Sequence, residues 1–193
     1  MKLKISNIFY SIQGEGRFIG TPSIFIRFFD CNLSCDFCDD TSHKQSYDEY
    51  SFEELLGAII GFKSKFITIT GGEPTLYELN PLIEFLQTKG YFVSVETNGM
   101  NLQNIKKANW ITYSPKKWSS IESSGYSEVK FIVESSSDVN KILEFKTDKQ
   151  IYIQPKNDMD SVDSKNMKFC IELVKKHPRL KLSPQLHKLL DIE

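Results

Sequence analysis

The chain has 193 residues, 40% of them hydrophobic and 25% charged, with a formal net charge of −1. That is an ordinary soluble composition with enough chain for one domain and a real core. Near-neutral charge gives no long-range pull toward nucleic acid or an anionic membrane, no apolar run approaches the roughly 20 residues of a membrane helix, and the start Met1-Lys2-Leu3-Lys4 lacks the apolar core of a secretory signal. A single domain over residues 1–193 in the cytoplasm is the expectation.

The first strong apolar run is 23–29, Ser23-Ile24-Phe25-Ile26-Arg27-Phe28-Phe29, which reads as a strand. Strand alternation sets Arg27 on the face opposite Ile26 and Phe28. Three of the four cysteines follow at once, in Cys31-Asn32-Leu33-Ser34-Cys35-Asp36-Phe37-Cys38, spaced C-x3-C-x2-C. Ser51 and Glu54 form a capping box that opens a helix to about residue 62. A strand at 66–70 runs into Gly71-Gly72-Glu73-Pro74. Asn80-Pro81 opens a helix that Gly90 stops. A strand at 91–96 ends in Thr97-Asn98-Gly99, and a short helix at 103–108 leads to a strand at 110–113 and Ser114-Pro115-Lys116. Residues 118–126, rich in serine, carry no assignment and are placed as a loop near the site. A strand at 129–133 and a helix at 137–145 precede a strand at 151–153, which runs into Gln154-Pro155-Lys156-Asn157. A helix at 163–176 and a strand at 180–182 lead to Ser183-Pro184-Gln185. Cys170 sits in the apolar pattern of that helix and reads as a core residue.

Strands alternating with helices imply a mostly parallel sheet with right-handed crossovers. A complete eight-fold barrel takes about 250 residues. This shorter chain is therefore expected to form an open, partial TIM-like α/β barrel. The polar clusters all follow strands, where such sheets bind ligands, so they are expected to converge on one mouth.

Three thiolates within eight residues can hold three corners of a 4Fe–4S cluster. One iron then lacks a protein ligand and stays open to a small molecule. Three thiolates with His43 would also make a Cys3His zinc site, and a disulfide is the plainest alternative. In the glycine turn, Gly72 would let backbone approach a ligand closely and Glu73 offers an acceptor for an ammonium group.

The cysteine spacing and the Gly-Gly-Glu-Pro turn resemble the radical S-adenosylmethionine (SAM) superfamily. The stretch Ile8-Phe9-Tyr10-Ser11-Ile12-Gln13-Gly14-Glu15-Gly16, then Gly20-Thr21-Pro22, Arg27, Glu96-Thr97-Asn98-Gly99, Ser114-Pro115-Lys116, Gln154-Pro155 and Gln185-Leu186-His187-Lys188, is similar to the 7-carboxy-7-deazaguanine synthase family. That resemblance implies a radical SAM lyase of queuosine and 7-deazapurine biosynthesis. It would convert 6-carboxy-5,6,7,8-tetrahydropterin to 7-carboxy-7-deazaguanine, by hydrogen abstraction at C6 and ring contraction with loss of ammonia. The implied cofactors are a 4Fe–4S cluster on Cys31, Cys35 and Cys38, SAM and magnesium. The implied partners are a flavodoxin-like electron donor and a second copy of the chain.

By the same resemblance, Phe37, Cys38, Asp39, Gly72, Glu73, Ser114, Pro115, Lys116, Gln154, Pro155, Lys156 and Asn157 border SAM. Ile12, Gln13, Gly14, Arg27, Thr70, Glu96, Asn98 and His187 meet the pterin, and the terminal carboxylate of Glu193 reaches it. Arg27 is suited to grip the substrate carboxylate with paired N–H donors. Two positions depart from the family: one is the last residue, Glu193, whose α-carboxylate would serve whichever side chain it carries, and the other follows the cysteines. Where a threonine or serine helps bind magnesium, this chain has Asp40, a good hard-oxygen ligand, with Thr41 as the alternate. Two other readings remain: a different radical SAM enzyme, such as a glycyl-radical activase, and a non-catalytic zinc-binding module.

Overall fold

Along the central strands every second side chain is apolar, and this alternation separates the sheet into two unlike faces. The structure, a computed structural model, describes residues 2–38, 40, 42–135, 137, 139–159 and 161–192. Among them, nine strands form one sheet: β1 (Leu3–Ile12), β2 (Pro22–Phe28), β3 (Asp48–Tyr50), β4 (Phe66–Gly71), β5 (Phe92–Thr97), β6 (Trp110–Tyr113), β7 (Glu128–Val133), β8 (Gln150–Pro155) and β9 (Leu180–Leu182). Their order is β3-β1-β2-β4-β5-β6-β7-β8-β9. From β2 to β9 the pairs are parallel, while β1 runs antiparallel to both β2 and β3. The sheet is not closed, so the fold is the expected open, partial barrel. Among the described residues five α-helices accompany it: α1 (Phe52–Ile59), α2 (Asn80–Thr88), α3 (Val139–Glu144), α4 (Ser164–Lys176) and α5 (Leu186–Leu190). No helix among the described residues is long and apolar enough to cross a membrane.

The outer face carries the core. Ile24, Ile26 and Phe28 of β2, Ile67 and Ile69 of β4, Val93 and Val95 of β5 and Val129 and Val133 of β7 are fully buried. They share one cluster with Leu55 and Ile59 of α1, Leu82, Ile83 and Leu86 of α2 and Cys170 of α4. Each such side chain contributes roughly 1.5–3 kcal/mol on burial. Cys170 is thus the core residue its pattern indicated, and burial pushes its thiol up to about 12.

The inner face has the opposite character. Ser23, Thr68, Ser94, Thr112 and Glu128 form its floor, all buried. Ser23 and Thr68 share a hydroxyl hydrogen bond of 2.8 Å, and Thr112 donates to Glu128 at 2.8 Å. A closed barrel fills this layer with branched apolar side chains. Hydroxyls leave a shallower, polar floor beneath an open cleft.

The local signals held where they were local. Ser51 and Glu54 form the capping box, with bonds of 3.2 and 2.6 Å. Gly90, at φ +81, ends α2. α1 stops at Ile59, three residues early, and the expected helix at 103–108 is only a 3₁₀ turn, Leu102–Ile105. β1 escaped notice because its register shifts between Ile5 and Asn7, which breaks strict alternation. α5 is too short for a helical period to show. The 118–126 segment lies away from the cleft: Trp118 stacks on Phe131 of the outer face at 5.2 Å, and Tyr113 accepts the Glu122 N–H at 3.1 Å.

Candidate active site

The chain leaves β2 through Asp30, whose φ of 71 turns it sharply into the cysteine loop. Aspartate tolerates this left-handed geometry better than most residues, and its carboxylate accepts the Cys31 N–H at 2.8 Å. The glycine turn after β4 lies directly against this corner. Gly72 donates to the Phe28 carbonyl at 3.0 Å and Glu73 to the Asp30 carbonyl at 2.9 Å. A Cβ on Gly72 would overlap the Asp30 carbonyl oxygen. Glycine is needed here so that the two loops touch, a demand set by the protein itself.

Glu73 joins a third loop to these two. Only 1% exposed, it accepts from the Thr75 N–H and hydroxyl and the Thr97 hydroxyl on Oε1, at 3.0, 2.5 and 2.5 Å. Its Oε2 accepts the Asn98 N–H at 2.7 Å and keeps room for another donor. Asn98 in turn donates from Nδ2 to Asn32 at 2.8 Å, between two of the cysteines. The loops after β2, β4 and β5 are therefore one hydrogen-bonded unit.

Cys31, Cys35 and Cys38 are free thiols that all line the cleft. Cys38 donates its N–H to the Cys35 carbonyl at 3.2 Å, and Cys31 Sγ accepts the Leu33 N–H at 3.4 Å. Burial pushes the Cys31 thiol up, as do Glu73 and the other two thiols, against the lowering effect of the Leu33 N–H. Sulfur donors that feel one another suit a soft, multiply charged iron–sulfur group. Among the described residues no three His, Cys, Asp or Glu side chains close around a point that one ion could occupy. His43, the fourth ligand of the zinc alternative, is buried, and its Nδ1 lies 4.0 Å from Asp40 Oδ2.

On the inner wall Arg27 and Asp40 meet, Nη1 to Oδ2, at 2.5 Å. Burial works to raise the Asp40 carboxyl, but Arg27 and the Ser42 N–H and hydroxyl outweigh it and hold the group below the usual carboxylate range. Arg27 also lies over the Phe9 ring, a stacking that suits a guanidinium. Across the cleft, Gln13 donates to Glu96 at 3.0 Å, and Lys130 binds both Glu96, at 3.2 Å, and Glu15. Among the described residues four buried polar atoms of cleft-lining side chains lack a hydrogen-bond partner: Arg27 Nε, Asp40 Oδ2, which keeps its ion pair with Arg27, His43 Nδ1 and Gln154 Oε1. Orphaned polar atoms at a cleft wall point to a ligand that completes them.

The cleft measures about 630 Å³, within the roughly 300–1,000 Å³ of small-molecule sites. Ile12, Gln13, Gly14, Arg27, Cys31, Cys35, Phe37, Cys38, Asp40, Thr70, Gly72, Glu73, Glu96, Asn98, Ser114, Lys116, Gln154, Pro155, Lys156, Asn157 and His187 all line it. The strand-end clusters do converge on one mouth. Pro115, between Ser114 and Lys116, does not line it; Asp39, Thr41 and Glu193 lie outside the described residues. The sequence reading missed Lys130 and gave no role to Glu15. Its available signal was a single cation inside the apolar run of β7. The tail seals one side of the cleft: Leu186 donates to the Gly14 carbonyl at 3.1 Å, Gly16 to the Ser183 hydroxyl at 2.9 Å, and Asn157 to Gln185 at 2.9 Å.

Comparison with known proteins bears on this geometry. Residues 25–154 match the model of the radical SAM superfamily. A 7-carboxy-7-deazaguanine synthase from Bacteroides thetaiotaomicron is 36% identical over 192 residues, covering 100% of both chains. One from Aquifex aeolicus is 33% identical, covering 99% of this chain and 94% of its own. The crystal structure of QueE from Escherichia coli superposes with a TM-score of 0.78 at 27% identity, over 97% of this chain and 95% of that one.

Proposed function

The chain belongs to the radical SAM superfamily and, within it, to the 7-carboxy-7-deazaguanine synthases, and on that footing we propose how its residues carry out the reaction. The substrate is 6-carboxy-5,6,7,8-tetrahydropterin and the product 7-carboxy-7-deazaguanine, with loss of ammonia. One observation supports the assignment of residues above all others: three thiols, an arginine fork and a carboxylate–amide wall share a single cleft. Kinship over the whole chain sets aside the zinc module and the glycyl-radical activase.

When bound, the 4Fe–4S cluster and SAM supply one-electron chemistry, hydrogen abstraction at a carbon that no side-chain base could deprotonate. Cys31, Cys35 and Cys38 would each hold one iron. Gly72, Glu73, Ser114, Lys116, Gln154 and Asn157, with Phe37, Pro155 and Lys156 beside them, would border SAM. Glu73 keeps an open lone pair toward an ammonium while its other bonds fix the loop. Arg27 would take the substrate carboxylate on its unused Nε edge. Gln13, Glu96, Thr70, Asn98, His187 and the backbone at Ile12 and Gly14 would surround the ring. Asp40, an oxygen donor on the cleft wall, would hold magnesium. The tail helix α5 excludes water from the Gly14 side.

The whole chain acts as one domain, in the cytoplasm. Family resemblance supports a flavodoxin-like electron donor and a homodimer. The test is turnover by anaerobically reconstituted protein with SAM, a reductant and the carboxytetrahydropterin, read by mass spectrometry. The expected product is 7-carboxy-7-deazaguanine, absent when any of Cys31, Cys35 or Cys38 is alanine. No product from a brown, folded, SAM-binding protein would refute the assignment.

A further inference from the structure

We propose that Lys130 is a positioning residue of the pterin wall: its ammonium bridges Glu15 and Glu96 into one anionic surface that selects a ring edge carrying adjacent N–H donors. This rests on the reading of the cleft as a pterin site and adds a residue to it.

A lysine inside a parallel strand, 4% exposed, is costly unless it is paired. Here it is paired twice. Nζ meets Glu15 Oε2, on the loop after β1, and Glu96 Oε2, at the end of β5, at 3.2 Å. Burial pulls the ammonium down, but the two carboxylates outweigh that and raise it, so the cation persists. Gln13 ties the two partners together: it fixes the Glu96 carboxylate directly and holds Glu15 through its backbone. Gln13 Nε2 donates to Glu96 Oε1 at 3.0 Å, and Gln13 Oε1 accepts the Glu15 N–H at 3.1 Å. Gln13, Glu15, Glu96 and Lys130 all line the cleft. Among the described residues, Glu128, two residues earlier on β7, and Tyr152, the register partner on β8, lie beside Lys130, and Arg17 acts on Tyr152 in turn. Glu128 accepts from the Thr112 hydroxyl on Oε1, has no hydrogen-bond partner on Oε2 among the described residues, and feels both Glu96 and Lys130.

The wall thus presents two acceptor-only groups around one cation, with a net charge of −1 among these three. Carboxylates bind side-by-side N–H groups bidentately, and an aminopyrimidinone edge offers such a pair. Without the cation, two carboxylates would face each other in a partly desolvated wall. One would take up a proton near neutrality, and a protonated acid is a poorer acceptor for that edge.

The test uses reconstituted holoenzyme with Lys130→Met, Lys130→Arg and the double variant Lys130→Met/Glu15→Gln. It reads kcat and KM for the pterin from pH 6 to 8.5, and SAM affinity. Lys130→Met should raise KM about tenfold or more at pH 6.5 with little change in kcat or SAM affinity, and its KM should fall as pH rises. Wild type and Lys130→Arg should show a flat KM. The double variant, which restores the charge balance, should also be flat, and it serves if the single variant does not fold. Carboxylate 13C resonances read the same unit without substrate: in Lys130→Met one glutamate should titrate near neutrality. A flat KM and unshifted carboxylates in Lys130→Met, or a pH-dependent KM in the double variant, would overturn the proposal. Wild-type protein inactive on the pterin would instead defeat the ligand assignment, while the carboxylate titration would still decide what Lys130 does.

Discussion

Arg27 and Asp40 hold each other across the cleft wall, Nη1 to Oδ2 at 2.5 Å, at the two positions assigned to the substrate carboxylate and to magnesium. Asp40 stands where relatives are expected to place a hydroxyl, and a carboxylate is the harder, stronger donor for magnesium. Asp40→Ala is therefore expected to lose magnesium stimulation and to weaken magnesium affinity by roughly 10–100-fold, while Asp40→Thr keeps it. Magnesium titrations of turnover and of binding check this. An Asp40→Ala protein with unaltered magnesium dependence would move the ligand to another residue.

Glu73 is the clip of the site, and removing it should cost stability before it costs chemistry. Glu73→Ala leaves the buried Thr75 N–H and the Thr75 and Thr97 hydroxyls, and the half-buried Asn98 N–H, without their acceptor. At about 1–3 kcal/mol for each stranded group, a loss of roughly 3 kcal/mol or more is expected in urea unfolding. Glu73→Gln keeps one acceptor oxygen and should lose less. Equal, small losses in both variants would contradict this account of the loops.

Gly14 faces the tail. A Cβ there would sit 3.1 Å from His187 Nδ1 and 3.3 Å from its backbone nitrogen, too close unless α5 moves outward. Gly14→Ala should raise the pterin KM several-fold and speed amide exchange over 186–190, leaving SAM affinity intact. Unchanged exchange in the tail would show that the seal does not depend on this contact.

Glu128 makes the fold sensitive to pH. Burial pushes its carboxyl up, against the Thr112 hydroxyl and Arg17 N–H. A raised carboxyl binds its proton more tightly folded than unfolded, so stability is greatest below the unfolded value, about 4.3. It falls as pH rises from there through the folded value. Glu128→Gln should thus melt about 2–4 °C above wild type at pH 8, and the difference should vanish below about pH 4. A gap independent of pH would assign the effect to packing instead.

What the sequence made legible was local or periodic. The capping box of Ser51 and Glu54, the stop at Gly90 and the core role of Cys170 need only neighbours or spacing. Convergence of the polar clusters follows from the rule that parallel sheets bind ligands at their strand ends. The Gly71-Gly72 turn was read as room for a ligand, yet Gly72 answers first to the Asp30 carbonyl, a contact set by tertiary structure. Lys130 was unreadable for the same reason. Its partners lie 115 and 34 residues away, and one-residue alternation says which face it occupies but not what waits there.

An electron paramagnetic resonance spectrum of the reduced, reconstituted protein, recorded before and after adding SAM, tests most directly whether the three thiols leave one iron open. The expected result is a 4Fe–4S signal that shifts when SAM binds, and that is lost when Cys31, Cys35 or Cys38 is replaced by alanine. A signal indifferent to SAM, or a colourless protein carrying one tightly held zinc ion, would contradict the account.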